Sequence, residues 1–215
     1  MASDALPSDP AAGRAARLAQ AVASRICHDL VSPVGAIVNG VDLVDELGAA
    51  GREEISMIGA SAARASALLE LHRLAFGAGA SDGAAVARAA LATMTREVIA
   101  TRRLPVAVDP ESGPELPRTA ARLAALMLLA GRSVAGMRGE LRLVLPAAAP
   151  WPMRLAIATD TPAAADLPAR IARPSEEPDP RSVEFDLLPL AAATAGARLS
   201  VEETLDALVL DARQP

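Results

Sequence analysis

Apolar residues in the first third of the chain recur with the period of an α-helix. From Leu18 to Val44 they lie three, four or seven residues apart, which predicts one amphipathic helix over about 12–47. A Gly-Ala break at 48–51 separates it from a second predicted helix over about 52–76. Two long helices joined by a tight turn form an antiparallel hairpin.

A hairpin of this kind has too few layers to enclose its own apolar stripe. The pattern therefore favours the pairing of two copies into a four-helix bundle. A coiled-coil pair that is buried in another way is the alternative. We accordingly expect a homodimer.

The second half of the chain is interrupted far more often. Of the 17 prolines, Pro33 is the only one between residues 11 and 104, whereas fourteen lie from Pro105 onward. Three helices are predicted, over about 82–101, 117–135 and 181–194, and one short helix is predicted in the Pro-rich stretch 161–181. Five strands are predicted, over 104–108, 140–145, 153–158, 198–202 and 207–211. Strands grouped with hairpins indicate an α+β fold class, with an antiparallel or mixed sheet and helices on one face.

These patterns divide the chain into a disordered tail over 1–11, a helical hairpin dimerisation domain over 12–78 and an α+β domain over 82–215. The glycine-rich stretch 77–83 is the predicted hinge. Residues 1–10 lack the cationic start and apolar stretch of a targeting signal. The longest apolar run, 123–130, is far shorter than the roughly 20 residues of a membrane span. We expect a cytoplasmic protein that contacts no membrane.

Composition excludes several classes of chemistry. The chain has no Lys, so it has neither a Walker A lysine nor a Schiff-base lysine. A single cysteine, Cys27, excludes an intrachain disulfide and a zinc ribbon, and His28 and His72 are too far apart for an HExxH site. The net charge of −5 argues against binding to nucleic acid.

His28 lies on a polar face of the first predicted helix. It follows Ile26 by two residues, which places it roughly 200° around the helix from the apolar stripe. Its neighbours on that face are polar or small: Arg25, Ser32, Gly35, Asn39, Asp42 and Glu46. A neutral imidazole is a competent nucleophile near neutral pH, and small neighbours allow another protein to approach it. The alternative is an ordinary solvated histidine.

The residues around His28 carry a family resemblance. The string Arg-Ile-Cys-His-Asp-Leu-Val-Ser-Pro at 25–33 resembles the phosphoacceptor box of sensor histidine kinases. The longer run 28–40, with 61–64 and 73–77 in the second helix, is similar to the alphaproteobacterial ChpT family of histidine phosphotransferases. The strong resemblance covers about 18–80, and beyond it only 195–201 and the order of elements match.

This resemblance implies that His28 is the phosphoacceptor of a phosphorelay and that Asp29 orients its imidazole. It implies a receiver-docking surface formed by Arg25, Ser32, Pro33, Gly35 and Asn39. The implied partners are the receiver domain of a hybrid histidine kinase as donor and response regulators of the cell cycle as acceptors. The protein would need no cofactor or metal of its own, because the Mg²⁺ would sit on the partner receiver domain.

The resemblance also implies that the α+β domain derives from a histidine-kinase ATPase domain. ATPases of that type hold Mg²⁺ through a helical Asn, yet the only Asn in the chain is Asn39, in the hairpin. The candidate adenine turn, 160–164, has no glycine, and no glycine lies between residues 160 and 195 to form a phosphate cradle. We therefore predict a degenerate domain without autokinase activity.

Two other functions stay open at this point. The chain would be a non-catalytic dimeric adaptor if His28 were never phosphorylated, or a kinase with an unusual ATP site. The spacing of Asp29 and Ser32 also leaves phosphatase activity open. Of the remaining candidates, we interpret His72 as a hydrogen-bonded interface histidine and Cys27 as a small buried hydrophobic residue.

Overall fold

The computed structural model describes residues 10–48, 51–77, 85–136, 138–159, 167–204 and 207–215. Most of the predicted tail 1–11, most of the predicted hinge 77–83 and the candidate adenine turn 160–164 lie outside the described residues. The predicted division into two domains stays a prediction.

Two long helices form the N-terminal hairpin. Helix α1 spans Pro10–Leu47 and helix α2 spans Arg52–Ala75, close to the predicted bounds. Pro33 lies inside α1. Because proline has no N–H, the carbonyl of Asp29 lacks its usual helical partner at that turn.

The C-terminal half is a mixed sheet with helices on one face. Its elements are α3 (Arg88–Ile99), β1 (Val106–Asp109), α4 (Arg118–Ala135), β2 (Glu140–Val144), β3 (Met153–Ala158), α5 (Leu167–Ala172), α6 (Glu184–Thr194), β4 (Arg198–Glu203) and β5 (Leu208–Arg213). The strand order is β1-β2-β3-β5-β4, with β1 and β2 parallel and the other pairs antiparallel. Buried and exposed residues alternate in β2 and β3, because only one sheet face is covered. The predicted α+β class is confirmed.

Helix boundaries differ from the prediction mainly at two places. The helix predicted over about 82–101 begins only at Arg88, because Val86 just before it forms a β-bridge with Leu116. The helix predicted over 181–194 starts as a 3₁₀ turn, Pro180–Ser182, and continues as α6. The side chain of Asp179 accepts a hydrogen bond from the Arg181 backbone N–H and caps that turn. The turn packs against α1, so it brings the C-terminal half close to the hairpin.

Arginine side chains join the hairpin to the C-terminal half. Arg14 and Arg17 of α1 donate hydrogen bonds through Nε to the carbonyls of Ser175 and Glu176, at 3.1 and 2.9 Å. Arg122 of α4 donates to the carbonyl of Ala75, at 3.0 Å. Buried residues of both halves also share one hydrophobic cluster.

Helix α1 contains one stretch, within Ala11–Glu46, that is long and apolar enough to cross a bilayer. Length and composition alone are weak evidence, since a core helix of a soluble protein passes the same test. The charged side chains of Arg14 and Arg25 are paired with carboxylates of the same chain, Asp186 and Asp29.

Helix α4 lies directly on the sheet, and Gly131 sets how closely it approaches. A Cβ at this position would lie 2.9 Å from Cδ2 of Leu155 and 3.1 Å from Cδ2 of Leu141. Those distances are shorter than ordinary carbon contacts. A side chain larger than hydrogen would therefore push α4 away from β2 and β3.

Replacing Gly131 by Val is expected to lower the free energy of unfolding by about 1–3 kcal/mol, because it overpacks the contact between α4 and the sheet. Urea denaturation followed by circular dichroism measures the change. Gly13→Ala is the control, since a Cβ there lies 3.5 Å from Arg17, an ordinary contact. The control should be neutral or slightly stabilising. Equal stability of Gly131→Val and the parent chain would contradict the close approach.

Candidate functional site

His28 projects from α1 into solvent. Its side chain is 75% exposed, in agreement with the prediction from helical periodicity. Its Nδ1 lies 3.1 Å from Oδ1 of Asp29, the next residue. One ring nitrogen of His28 is thus held by its neighbour, while the ring remains accessible to another protein.

Asp29 is largely buried beneath His28, with 12% of its side chain exposed. Arg25, one turn earlier in α1, donates a hydrogen bond from Nε to Oδ2 at 2.8 Å. Nε2 of His72, on α2, lies 3.3 Å from the same oxygen. The Asp29 carboxylate therefore connects the two helices of the hairpin directly below the exposed imidazole.

The environment of Asp29 keeps it ionised. Burial raises the pKa of the Asp29 carboxyl, but the His72 imidazole, the charge of Arg25 and the contact with His28 together hold this pKa well below its usual range. An ionised carboxylate can only accept hydrogen bonds. When the His28 ring is neutral, its Nδ1 must therefore carry the proton and donate to Asp29, which leaves the lone pair on Nε2.

Arg25 is placed beneath the surface rather than on it. It is 8% exposed, and its Nη1 donates to the carbonyl of Arg181 at 2.6 Å and lies 3.9 Å from Oε2 of Glu184. Glu184 is fully buried and accepts a hydrogen bond from Ser133; burial raises the pKa of Glu184. Arg25 faces these buried partners, so it supports Asp29 from within the protein and contributes only a cleft wall to the surface.

The other predicted docking residues lie at different depths. Ser32 and Asn39 are exposed, Gly35 is half-buried and Pro33 is buried. The docking role of these residues stays a prediction.

One interpretation from the sequence is wrong in the structure, and another is refined by it. Cys27 is exposed, because it shares a face of α1 that the single chain leaves uncovered. His72 is buried, as interpreted, and its Nε2 lies 3.3 Å from Oδ2 of Asp29. Its nearest charged group is the Asp29 carboxylate, so His72 belongs to the site.

Two clefts meet at His28, and both are lined by His28, Asp29 and Arg132. The larger has a volume of about 530 Å³ and is bounded by α1, the end of α4 and residues 179–181. The smaller, of about 220 Å³, lies between Pro33, Arg64 and the end of α3.

Sequence analysis missed Arg132, although it is the only charged residue between Arg122 and Arg138. Within the described ranges, no cluster of His, Cys, Asp and Glu has the arrangement of a metal site.

Asp29→Asn is expected to destabilise the chain in a pH-dependent way. A carboxyl whose pKa is lowered by folding adds stability above its unfolded pKa, near 4, and loses that contribution as the pH falls toward its folded value. Near pH 7 the variant should lose about 3 kcal/mol, because Arg25 and His72 lose their charged partner. This difference should shrink below about pH 4.

Urea unfolding of both proteins between about pH 7 and pH 3.5 measures the difference. Asp42→Asn is the control, because Asp42 is exposed on the same helix. It should stay within about 0.5 kcal/mol of the parent chain. A stability difference that does not change with pH would contradict the ionised state of Asp29.

The chain is similar to known phosphotransferases. No protein-family model matches the chain. The chain is 32% identical over 194 residues to the protein phosphotransferase ChpT of Brucella abortus (strain 2308), a match that covers 88% of this chain and 91% of that protein. A solved structure of a bacterial phosphotransferase has a TM-score of 0.68 and 27% identity, covering 91% of this chain and 95% of the other. A histidine kinase domain from Erythrobacter litoralis EL346 has a TM-score of 0.45 and 16% identity, over 93% of this chain and 92% of that one.

The similarity that the sequence showed over about 18–80 therefore extends across most of the chain, including the α+β half. Both strong matches are to phosphotransferases. The chain belongs to the ChpT family of protein phosphotransferases.

Proposed function

We propose that this phosphotransferase is a phosphorelay intermediate and that His28 carries the phosphoryl group. The observation that supports this most directly is the pairing of a 75% exposed imidazole with a buried, ionised carboxylate at Nδ1. That pairing presents the lone pair of Nε2 to an approaching partner. The donor is an aspartyl phosphate on a receiver domain, and the acceptor is the aspartate of a second receiver domain.

The first transfer requires no proton from solvent. Nε2 of His28 attacks phosphorus, the N–P bond forms, and the P–O bond to the donor aspartate breaks as that side chain leaves as a carboxylate. The imidazole becomes a cation that keeps its proton on Nδ1. The Asp29 carboxylate, 3.1 Å away, stabilises that cation.

The second transfer reverses these changes. A carboxylate oxygen of the acceptor aspartate attacks phosphorus, the N–P bond breaks, and His28 leaves as a neutral imidazole that still donates from Nδ1 to Asp29. The Asp29 carboxylate thus supports the cationic and the neutral form of the ring in turn. A Mg²⁺ bound in the acidic pocket of the receiver would neutralise the phosphoryl oxygens, and the protein would then need no metal of its own.

The proposed partners follow from the resemblance to the ChpT family. We propose the receiver domain of a hybrid histidine kinase as donor and cell-cycle response regulators as acceptors, in the cytoplasm. The receiver would dock on the exposed part of α1 around His28, next to Ser32, Gly35 and Asn39. Small side chains in this segment leave room for a second protein within bonding distance of Nε2.

A phosphorylated, labelled receiver mixed with this chain in the absence of kinase tests the relay. Label should appear on the chain in an acid-labile, alkali-stable form, and His28→Ala should abolish it. His72→Gln is the informative comparison, because His72 is the only other histidine and is 2% exposed. This variant should still accept label, whatever its rate.

The adaptor hypothesis predicts a different result. Normal activation of the partner by His28→Ala, together with no label on the parent chain from any receiver of the organism, would contradict the relay. A non-catalytic adaptor would then explain the fold. If His72→Gln lost the label and His28→Ala kept it, the phosphoryl group would be carried on His72 of α2, and the mechanism through His28 would be contradicted.

An uncovered apolar stripe on the hairpin supports the proposed homodimer. On α1 the exposed side chains of Val31, Val34, Val38 and Val41 are spaced by three and four residues. On α2, Ile55 and Leu69 are 57% and 50% exposed and lie two heptads apart. Apolar residues at this spacing form the seam between helices of a bundle.

Val38→Asp is expected to convert the dimer to a monomer, because it places a charge in the centre of this seam. Sedimentation equilibrium should show the mass fall from twice the chain mass of 22.0 kDa to a single chain. Val144→Asp is the matched control, since Val144 is also exposed but lies on β2. A parent chain that sediments as a monomer at all concentrations would contradict the dimer.

A further inference from the structure

Arg132 occupies the wall shared by the two clefts at His28. It lies in the last turn of α4, half-buried, and lines both the larger and the smaller cleft together with His28 and Asp29. Among the residues that the structure describes, only His28, Asp29 and Arg132 line both clefts. Arg132 is thus the cation of the C-terminal half that lies near the exposed imidazole in both clefts.

The Arg132 guanidinium has no hydrogen bond or ion pair with any residue that the structure describes. Two other cations of the clefts are engaged: Arg25 with the Asp29 carboxylate, and Arg64 with the carbonyls of Glu97 and Val98 at 2.9 and 3.3 Å. A third, Arg181, is exposed and lines only the larger cleft. A guanidinium has five N–H donors, so Arg132 has unused capacity for a ligand with several acceptor oxygens.

Charges around Arg132 do not provide that ligand. Burial lowers the pKa of Arg132; the carboxylates of Asp29 and Glu184 oppose this effect, and the cations Arg25 and Arg64 add to it. Both carboxylates already face Arg25, at 2.8 and 3.9 Å. The arginine therefore bears the cost of partial desolvation without a hydrogen-bonded anion in return.

We propose that Arg132 binds the phosphoryl group while it is carried on, or transferred to and from, His28. This inference rests on the proposed phosphorelay function and adds a residue of the α+β half to the transfer site. Phosphoryl transfer proceeds through a loose transition state with charge spread over three oxygens. A planar guanidinium can donate two parallel hydrogen bonds to such oxygens.

The competing explanation is that Arg132 only stabilises α4. A cation in the last helical turn interacts favourably with the helix dipole. That role would affect stability but not the rate of transfer at saturating partner. The two explanations therefore separate when transfer and stability are measured on the same variants.

The experiment uses the full chain and four proteins: the parent, Arg132→Ala, Arg132→Lys and Arg138→Ala. Arg138 is exposed and lines neither cleft, so its variant has the same change in net charge as Arg132→Ala. Single-turnover transfer from a labelled receiver gives a maximal rate and a half-saturating concentration for each protein. Thermal unfolding shows whether each variant is folded.

Arg132→Ala should lower the maximal rate by about tenfold to a hundredfold, the effect of losing a charge-assisted hydrogen bond, with little change in half-saturation. Arg132→Lys, which keeps the charge but loses the planar fork, should recover part of the rate, and Arg138→Ala should match the parent.

A second readout needs no receiver. Phosphoramidate can phosphorylate histidine directly, and ³¹P NMR then follows the ionisation of the phosphoryl group on His28. Loss of Arg132 should raise the pKa of that group, because a nearby cation favours its dianion. Arg138→Ala should leave it unchanged.

Equal maximal rates and equal phosphoryl titration in the two alanine variants would overturn the assignment of Arg132, while the relay through His28 would stand. A change in half-saturation alone would overturn it as well, since it would indicate a docking role. If the parent chain takes no label on His28 from either donor, the proposed function itself fails, and the Arg132 inference fails with it.

Discussion

The buried Asp29 carboxylate is the constraint on which the rest of the site depends. A carboxylate that is mostly out of water is unstable unless cations and donors surround it, and Arg25 and His72 provide them from two different helices. This requirement fixes the register of α2 against α1 at the turn of His28. The same carboxylate then determines which nitrogen of the exposed imidazole keeps its proton.

Apart from histidine, arginine is the only side chain of this protein that can carry a positive charge, and arginine side chains join the two halves. Arg14, Arg17 and Arg25 reach from α1 to backbone carbonyls more than 150 residues away, and Arg122 reaches back to the end of α2. A guanidinium can bind a carbonyl with one nitrogen and a carboxylate with another, as Arg25 does. A lysine ammonium has no such planar fork. Against this background, the partly buried guanidinium of Arg132, which has no partner among the described residues, stands out as one available to a ligand.

Local periodicity predicted most of the fold because the elements are regular and well separated. The stripe of α1, the alternation in β2 and β3 and the prolines after Leu104 each identify an element type, and the exposure of His28 follows from its angle on the helix. The sequence could not predict the burial of Arg25. Its partner Arg181 is 156 residues away, and no local pattern records that contact. For the same reason His72 appeared to be an ordinary interface residue, and Arg132 was not singled out.

Helical geometry explains how one helix serves three purposes at the level of His28. At about 100° per residue, the uncovered stripe that includes Val31 and Val38 is centred roughly 100° to one side of the imidazole. The buried edge that includes Asp29 and Pro33 is centred roughly 100° to the other side. If a second copy packed on the first face and the C-terminal half on the second, one sector of the helix would stay open between them. His28 is the first side chain that a partner would meet in this sector. Small or short polar residues at Ser32, Gly35 and Asn39 continue that sector along the helix, since bulk there would hold a receiver away from Nε2. The position of His28 between two packing faces thus reconciles a rigidly held imidazole with one that another protein can reach.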